Sequence, residues 1–181
     1  MSTQRTPRPF IIEGPLAKIP LGIDAKDGYA IIDADLVTET LEAYKWSLSG
    51  NGYPATNITG GRLHLHSYIM KDQRKEGLFV DHINGDRLDN RRSNLRIVTK
   101  QQNSMNRVGN KGKLSRHKGI TYYKVSDRWQ VRIVANEKVI ALGYYKKERD
   151  AAEAYNRAAL KYHGEFARLN ILDSDDAKEL S

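Results

Sequence analysis

The apolar residues of the chain come in short runs whose spacing marks the elements. From Ile11 to Met70 the pattern is mixed α and β. Tyr29-Ala30-Ile31-Ile32 is a compact apolar run. Asp33 and Asp35 follow, and either can cap a helix carrying Leu36, Val37, Leu41 and Tyr44. Lys45-Trp46-Ser47-Leu48 returns to strand-like character, and Ser49-Gly50-Asn51-Gly52 signals a turn. Residues 63–68 (LHLHSY) alternate, which predicts a half-buried strand with Leu63 and Leu65 on its apolar side. His64 and His66 then share the other side. Their ordinary reading is a surface or hydrogen-bonded role, but His66 precedes the chemically richest stretch by little and is kept as a site candidate.

That stretch runs from Leu78 to Arg107. Leu78-Phe79-Val80 is strand-like and ends on Asp81-His82. A loop rich in Asn, Asp, Gly and Arg follows, and Leu95-Arg96-Ile97-Val98 predicts a second short strand. Thr99 can cap a helix, with Gln102 as its capping-box partner, and that helix carries Asn103. Successive side chains of a strand point to opposite faces, so Asp81 and His82 cannot both face inward on a regular strand. The strand should end or distort there, at an Asn-Gly turn.

Residues 108–116 are glycine-rich and basic, as an extended linker would be. Beyond them, 118–123, 129–134 and 139–144 predict three antiparallel strands joined by turns at 126–128 and 136–138. Glu148 to Tyr162 is an alanine-rich helix that Gly164 can terminate. Trp129, Val131 and Ile133 should face that helix, which leaves Gln130, Arg132 and Val134 on the open side of the sheet. Residues 1–9 are polar and proline-containing and suit a flexible N-terminus, and 173–181 form an acidic tail.

Composition narrows the classes. The chain has 181 residues, no cysteine and a formal charge of +8. Disulfides and cysteine-ligated zinc are excluded. No apolar run approaches the roughly 20 residues of a membrane span, and the N-terminus lacks the apolar core of a signal peptide. A soluble cytoplasmic protein is expected. Residues 71–114 carry 11 basic against 5 acidic side chains and residues 115–172 carry 12 against 6, while the first 70 are near neutral. Positive charge so placed suits a phosphate backbone, although a merely basic, soluble surface would show the same count.

Phosphodiester hydrolysis needs an activated water, a counter-charge and help for the leaving oxygen. Asp81 is a hard oxygen ligand suited to Mg²⁺, and the Asn103 carbonyl could share the ion. His82 can take a proton from water near neutral pH. Asn94 can pin the loop by bonding backbone near His82. By composition alone these residues are equally an Asp-His pair beside an ordinary Asn-rich turn.

The spacing of His82, Asn94 and Asn103 resembles the signature of HNH endonucleases, and DHINGD, DNRRSNLR and QQNSMNR resemble the subgroup common in bacteriophages and mobile introns. Ile19-Pro20-Leu21, Tyr29-Ala30, Tyr44-Lys45-Trp46 and Leu65-His66 are similar to segments that precede such cores. Residues 117–172 resemble the DNA-binding domain of plant ethylene-response (apetala-type) factors, through Lys118-Gly119-Ile120, Trp129, Leu142-Gly143-Tyr144, residues 151–155 and residues 164–170. Thr121 and Tyr123 stand where the plant domains place arginines, Ala141 replaces a tryptophan, and Arg132 stands where they have an acid. The plant recognition sequence therefore does not carry over.

The resemblance implies an α+β chain. A ββα-metal HNH core at 77–107 would close a region starting at residue 10 whose first part is small and mixed α/β. A linker at 108–116 would lead to a three-stranded antiparallel sheet packed on one helix at 117–172. It also implies roles: His82 as general base, Asn94 orienting the loop, and Asp81 and Asn103 holding one Mg²⁺ or Mn²⁺ per chain. Oxygen-only ligands argue against Zn²⁺. Double-stranded DNA is the expected partner, held by Arg91, Arg92 and Arg96 near the core and by Lys118, Tyr123, Arg128 and Arg132 on the sheet. A monomer is the favoured state. The function implied is a metal-dependent DNA endonuclease of the phage and homing type. The alternative is a sequence-specific DNA-binding regulator with a vestigial nuclease core.

Overall fold

The structure is a computed structural model, and it describes residues 10–107, 115 and 117–172. The expected flexible N-terminus, nearly all of the linker and the acidic tail lie outside the described residues. The chain is mixed α/β, with several small antiparallel sheets and few helices. It divides into two compact units, Met1–Lys100 and Gln101–Ser181.

In the first unit, β1 (Ile11–Glu13), β2 (Leu16–Pro20) and β3 (Tyr29–Asp33) form one antiparallel sheet. A single-turn 3-10 helix leads into α1 (Val37–Ala43). Then β4 (Ser47–Leu48), β5 (Pro54–Ile58) and β6 (Gly61–His64) make a second sheet. Next come the short helix α2 (Leu65–Ile69) and the antiparallel pair β7 (Phe79–His82) and β8 (Leu95–Val98). Ala17, Ile19, Leu21, Ala30, Ile32, Val37, Trp46 and Leu65 form the core, and Tyr68 and Ile69 pack against it.

Two expectations are corrected here. The alternation over residues 63–68 does not make one strand, because β6 stops at His64 and α2 begins at Leu65. Leu65, Tyr68 and Ile69 recur at helical i, i+3, i+4 spacing and bury together, so burial selects the helix over the six-residue alternation. Nor do Asp33 and Asp35 cap the helix through their side chains. Asp33 Oδ2 accepts from the Arg92 backbone N–H at 2.9 Å, and Asp35 receives Arg92 Nη1 at 2.8 and 3.0 Å.

Those bonds belong to a larger seam. The outer edge of β3 takes up the loop between β7 and β8: Ile31 N–H donates to Leu88 O (2.8 Å) and Asn90 N–H donates to Ile31 O (2.7 Å). A sheet edge left open would expose unpaired donors and acceptors, and here the β7–β8 loop covers it. Arg87 adds a bond to Asn51 O (2.6 Å) and lies 4.7 Å over the Tyr53 ring.

The second unit holds nearly all of α3 (Lys100–Asn106), then β9 (Ile120–Tyr123), β10 (Arg128–Ala135), β11 (Lys138–Tyr145) and α4 (Glu148–His163). The sheet order is β11-β10-β9, all antiparallel, with a register shift at Val131/Arg132. Val131 and Ile133 are buried against the alanine face of α4 and against Tyr155, with Trp129 packed at the margin. Gly119 has φ +77, and a Cβ there would stand 2.3 Å from the Tyr155 ring and 2.5 Å from Arg132 O. Only glycine lets Tyr155 pack onto the strand entry. Asn170 closes the unit: its Oδ1 accepts from Lys118 N–H (2.6 Å), and its own N–H donates to Asn156 Oδ1 (2.7 Å).

Candidate active site

β7 places Asp81 and His82 at its end, opposite Arg96 and Leu95 of β8. Both side chains are buried, although they point to opposite faces of the two-stranded ribbon. The strand stops at His82, and Gly85 N–H turns back onto His82 O at 2.9 Å with Gly85 at φ +78. On one face, the Arg96 guanidinium donates through Nε (3.0 Å) and Nη2 (2.9 Å) to Asp81 Oδ2.

On the other face, His82 Nε2 lies 3.3 Å from Asn90 Oδ1. Burial lowers the pKa of His82 below the ordinary value, with the Asn90 contact and nearby carboxylates opposing that shift. The imidazole is therefore neutral at neutral pH, as a proton acceptor must be. It sits in a cluster of rings: His66 is perpendicular to it at 5.1 Å between centroids, and Tyr53 lies at 5.9 Å. His64 stacks on His66 at 5.3 Å. Desolvation, then the neighbouring His82, His64 and Arg74, take the His66 pKa down to about 3, and its buried Nδ1 has no hydrogen-bond partner within the described residues.

Asn94 is buried and works on the loop backbone. Its Oδ1 accepts from Asn84 N–H (3.0 Å), and its Nδ2 donates to Asn84 Oδ1 (3.0 Å) and Asp89 O (2.8 Å). Ile83 N–H donates to Asn94 O at 2.8 Å. The residue that touches the histidine ring is instead Asn90, which sequence reasoning did not single out. It lies in the same DNRRSNLR run, and only the loop's path over β3 reveals its position.

The basic candidates occupy different settings. Arg91 forms a two-pronged pair with Asp89 (2.7 and 2.6 Å), which holds the Asp89 carboxyl below its usual range. Arg92 pairs with Asp35 at the surface, and Arg96 with Asp81. In the second unit Asn103 sits on α3, partly exposed. The Lys118 ammonium donates to the carbonyls of Ser104 (3.2 Å) and Met105 at the end of α3. Burial, with Arg107 and Arg168 nearby, brings its pKa down to about 8. Tyr123, Arg128 and Arg132 lie with Gln130 and Tyr144 on the open sheet face, where Gln130 Nε2 donates to the Tyr144 hydroxyl (2.7 Å).

The first unit thus presents a neutral, buried histidine beside a carboxylate paired to arginine, on a loop pinned by amides. Such groups can accept a proton and carry counter-charge. A family model described as HNH endonuclease matches residues 74–105. The chain is 32% identical over 169 residues to an HNH endonuclease of Acanthamoeba polyphaga mimivirus, spanning 91% of this chain and 86% of that protein. The chain belongs to the HNH endonuclease family and is a nuclease. It is also 30% identical over 97 residues to protein 3.8 of Escherichia phage T7, covering 52% of this chain and 77% of that one. Over 74 residues the chain is 35% identical to an AP2-like ethylene-responsive transcription factor of Arabidopsis thaliana, 41% of this chain and 15% of that protein. No solved structure matches the chain.

HNH endonucleases are in general divalent-metal dependent. Among the described residues no group of three or more His, Cys, Asp or Glu side chains gathers around one point. Within the first unit the Asp81 carboxylate is an oxygen donor of the kind hard divalent ions take. No helix among the described residues is long and apolar enough to cross a membrane.

Proposed function

We propose that the chain is a metal-dependent endonuclease of double-stranded DNA in which His82 is the general base. The observation that carries this reading is the buried, neutral His82 at the end of β7, adjacent to Asp81. His82 takes a proton from the attacking water, and burial keeps its imidazole deprotonated for that purpose. Asn94 fixes the backbone just beyond it. Asp81 would hold the metal ion, Mg²⁺ or Mn²⁺, with Asn103 kept as the second ligand candidate on the sequence signature alone. When bound, that ion supplies positive charge to the scissile phosphate and the departing 3′ oxygen. Arg96, poised on Asp81, is placed to share charge with a phosphate once the metal is present. Arg91 and Arg92 are the remaining candidates near the core.

The second unit supplies the DNA anchor in this reading. Its open sheet face offers Tyr123, Arg128 and Arg132, with Arg132 exposed and able to make a two-pronged base contact. The similarity of part of the chain to plant ethylene-responsive transcription factors supports that role. Lys118 contributes charge from the edge while it holds the end of α3. With one active site per chain, a monomer would cut one strand per binding event.

A supercoiled-plasmid assay with and without Mg²⁺ tests the proposal. His82→Ala should lower the cleavage rate at least ~10²-fold while leaving DNA binding intact, and Arg132→Ala should weaken binding to the preferred target. A His82→Ala variant that cuts at the normal rate removes His82 as the base. Absence of any cutting by the wild-type chain would favour a DNA-binding regulator.

A further inference from the structure

The HNH signature draws attention to Asn94, yet Asn94 bonds only backbone and side chains of the loop in the contacts described above. The histidine ring meets a different amide. Asn90 is fully buried, and three bonds determine where its side chain points. Its backbone N–H is held by Ile31 O at 2.7 Å, which seats the residue on the edge of β3. Its Nδ2 donates to Arg87 O at 3.1 Å. A carbonyl can only accept, so this bond identifies which end of the amide is the NH2 group. The oxygen, Oδ1, is therefore the end that faces His82 Nε2 at 3.3 Å.

An amide oxygen cannot donate either. The contact is a hydrogen bond only when His82 carries its proton on Nε2, which leaves the basic lone pair on Nδ1. Which nitrogen of a general base is basic decides where the attacking water must stand. We propose that Asn90 is the positioning residue that holds His82 in the Nε2–H tautomer and presents Nδ1 as the proton acceptor. The inference rests on the reading of His82 as the base. It assigns tautomer control to Asn90 rather than to Asn94, and it links that control to the β3 edge, since Ile31 fixes Asn90 and Arg87 O fixes its amide. Arg87 is itself anchored on Asn51 O and over the Tyr53 ring, which ties Asn90 to the turn after β4.

The test reads the tautomer directly. In histidine-¹⁵N-labelled full-length protein, without metal or DNA and above the pKa of His82, long-range proton–nitrogen correlation spectra distinguish the two neutral forms. The expected result is Nε2–H for His82 in the wild type. Asn90→Asp, whose carboxylate still accepts, should retain that form. Asn90→Leu, of similar volume and without an acceptor, should lose it, giving Nδ1–H or a mixture. The single-turnover cleavage rate of Asn90→Leu should fall at least ~10-fold at unchanged DNA affinity, with Asn90→Asp within a few-fold of wild type. A wild-type spectrum showing Nδ1–H at His82 overturns the proposal without any variant. So does an Asn90→Leu protein that keeps Nε2–H. If Asn90→Leu does not fold, as a thermal melt will show, the wild-type and Asn90→Asp spectra still decide. Tautomer and cleavage fail separately: normal cutting by His82→Ala refutes the base assignment, whereas the spectra refute only the role of Asn90.

Discussion

Asp81 and Arg96 stand opposite one another across β7 and β8, and two guanidinium bonds, at 3.0 and 2.9 Å, fall on one carboxylate oxygen, Oδ2. The pair is largely shielded, with side-chain exposures of 15% for Arg96 and 9% for Asp81. A carboxylate in that position without its cation would be strongly disfavoured.

Arg96→Ala should therefore destabilise the protein by about 3 kcal/mol. Millimolar Mg²⁺ should restore part of the loss, because a divalent ion can supply the missing charge at Asp81. Thermal melts with and without Mg²⁺ check this. Equal Mg²⁺ effects on wild type and Arg96→Ala would argue against metal binding at Asp81.

The acid side of the pH–rate profile is set by His82. Burial lowers its pKa, so the base stays unprotonated below the pH at which an ordinary histidine, near 6.5, would be half protonated. Single-turnover cleavage at pH 6.5 should remain above half its plateau value. A midpoint at or above 6.5 would disconnect the limb from this buried imidazole.

His66 makes stability pH-dependent in a definite direction. Its folded pKa, about 3, lies below its unfolded value near 6.5, so its contribution is present above 6.5 and is lost as pH falls from there toward about 3. The slope is of order 1.4 kcal/mol per pH unit within that window. His66→Phe should flatten it, and should raise the midpoint at pH 7, since a buried nitrogen without a partner in the described structure disappears. Denaturant unfolding at pH 5 and 7 measures both effects.

Gly119→Ala tests the second unit alone. The added methyl would meet the Tyr155 ring at 2.3 Å, on a backbone with φ +77. A loss of about 2–4 kcal/mol is expected. In a Tyr155→Ala background, itself destabilised, Gly119→Ala should cost less than in the wild type, because one of its two clash partners is gone. A neutral Gly119→Ala would mean that the strand entry relaxes freely.

Much of this molecule is written in its local sequence. The three strands and the helix at 120–163 follow from clean alternation and alanine spacing, and the structure places them within two residues of those expectations. Leu78–Val98 is legible as strand, loop, strand because period-2 apolar runs bracket a polar stretch, and its spacing sufficed to indicate the HNH family. The likeness to a plant ethylene-responsive factor covers 41% of the chain. Tertiary structure decided what short patterns leave degenerate. The alternation at 63–68 fits a strand or one helical turn equally well, and only the burial of Leu65 separates them. Asp33 and Asp35 have the chemistry of caps, but a loop almost sixty residues away offers them Arg92 instead. The sequence could name four polar residues around a site. It could not reveal that Asn90 faces the histidine, because that contact depends on the loop lying along the edge of β3, a long-range pairing that no local pattern encodes.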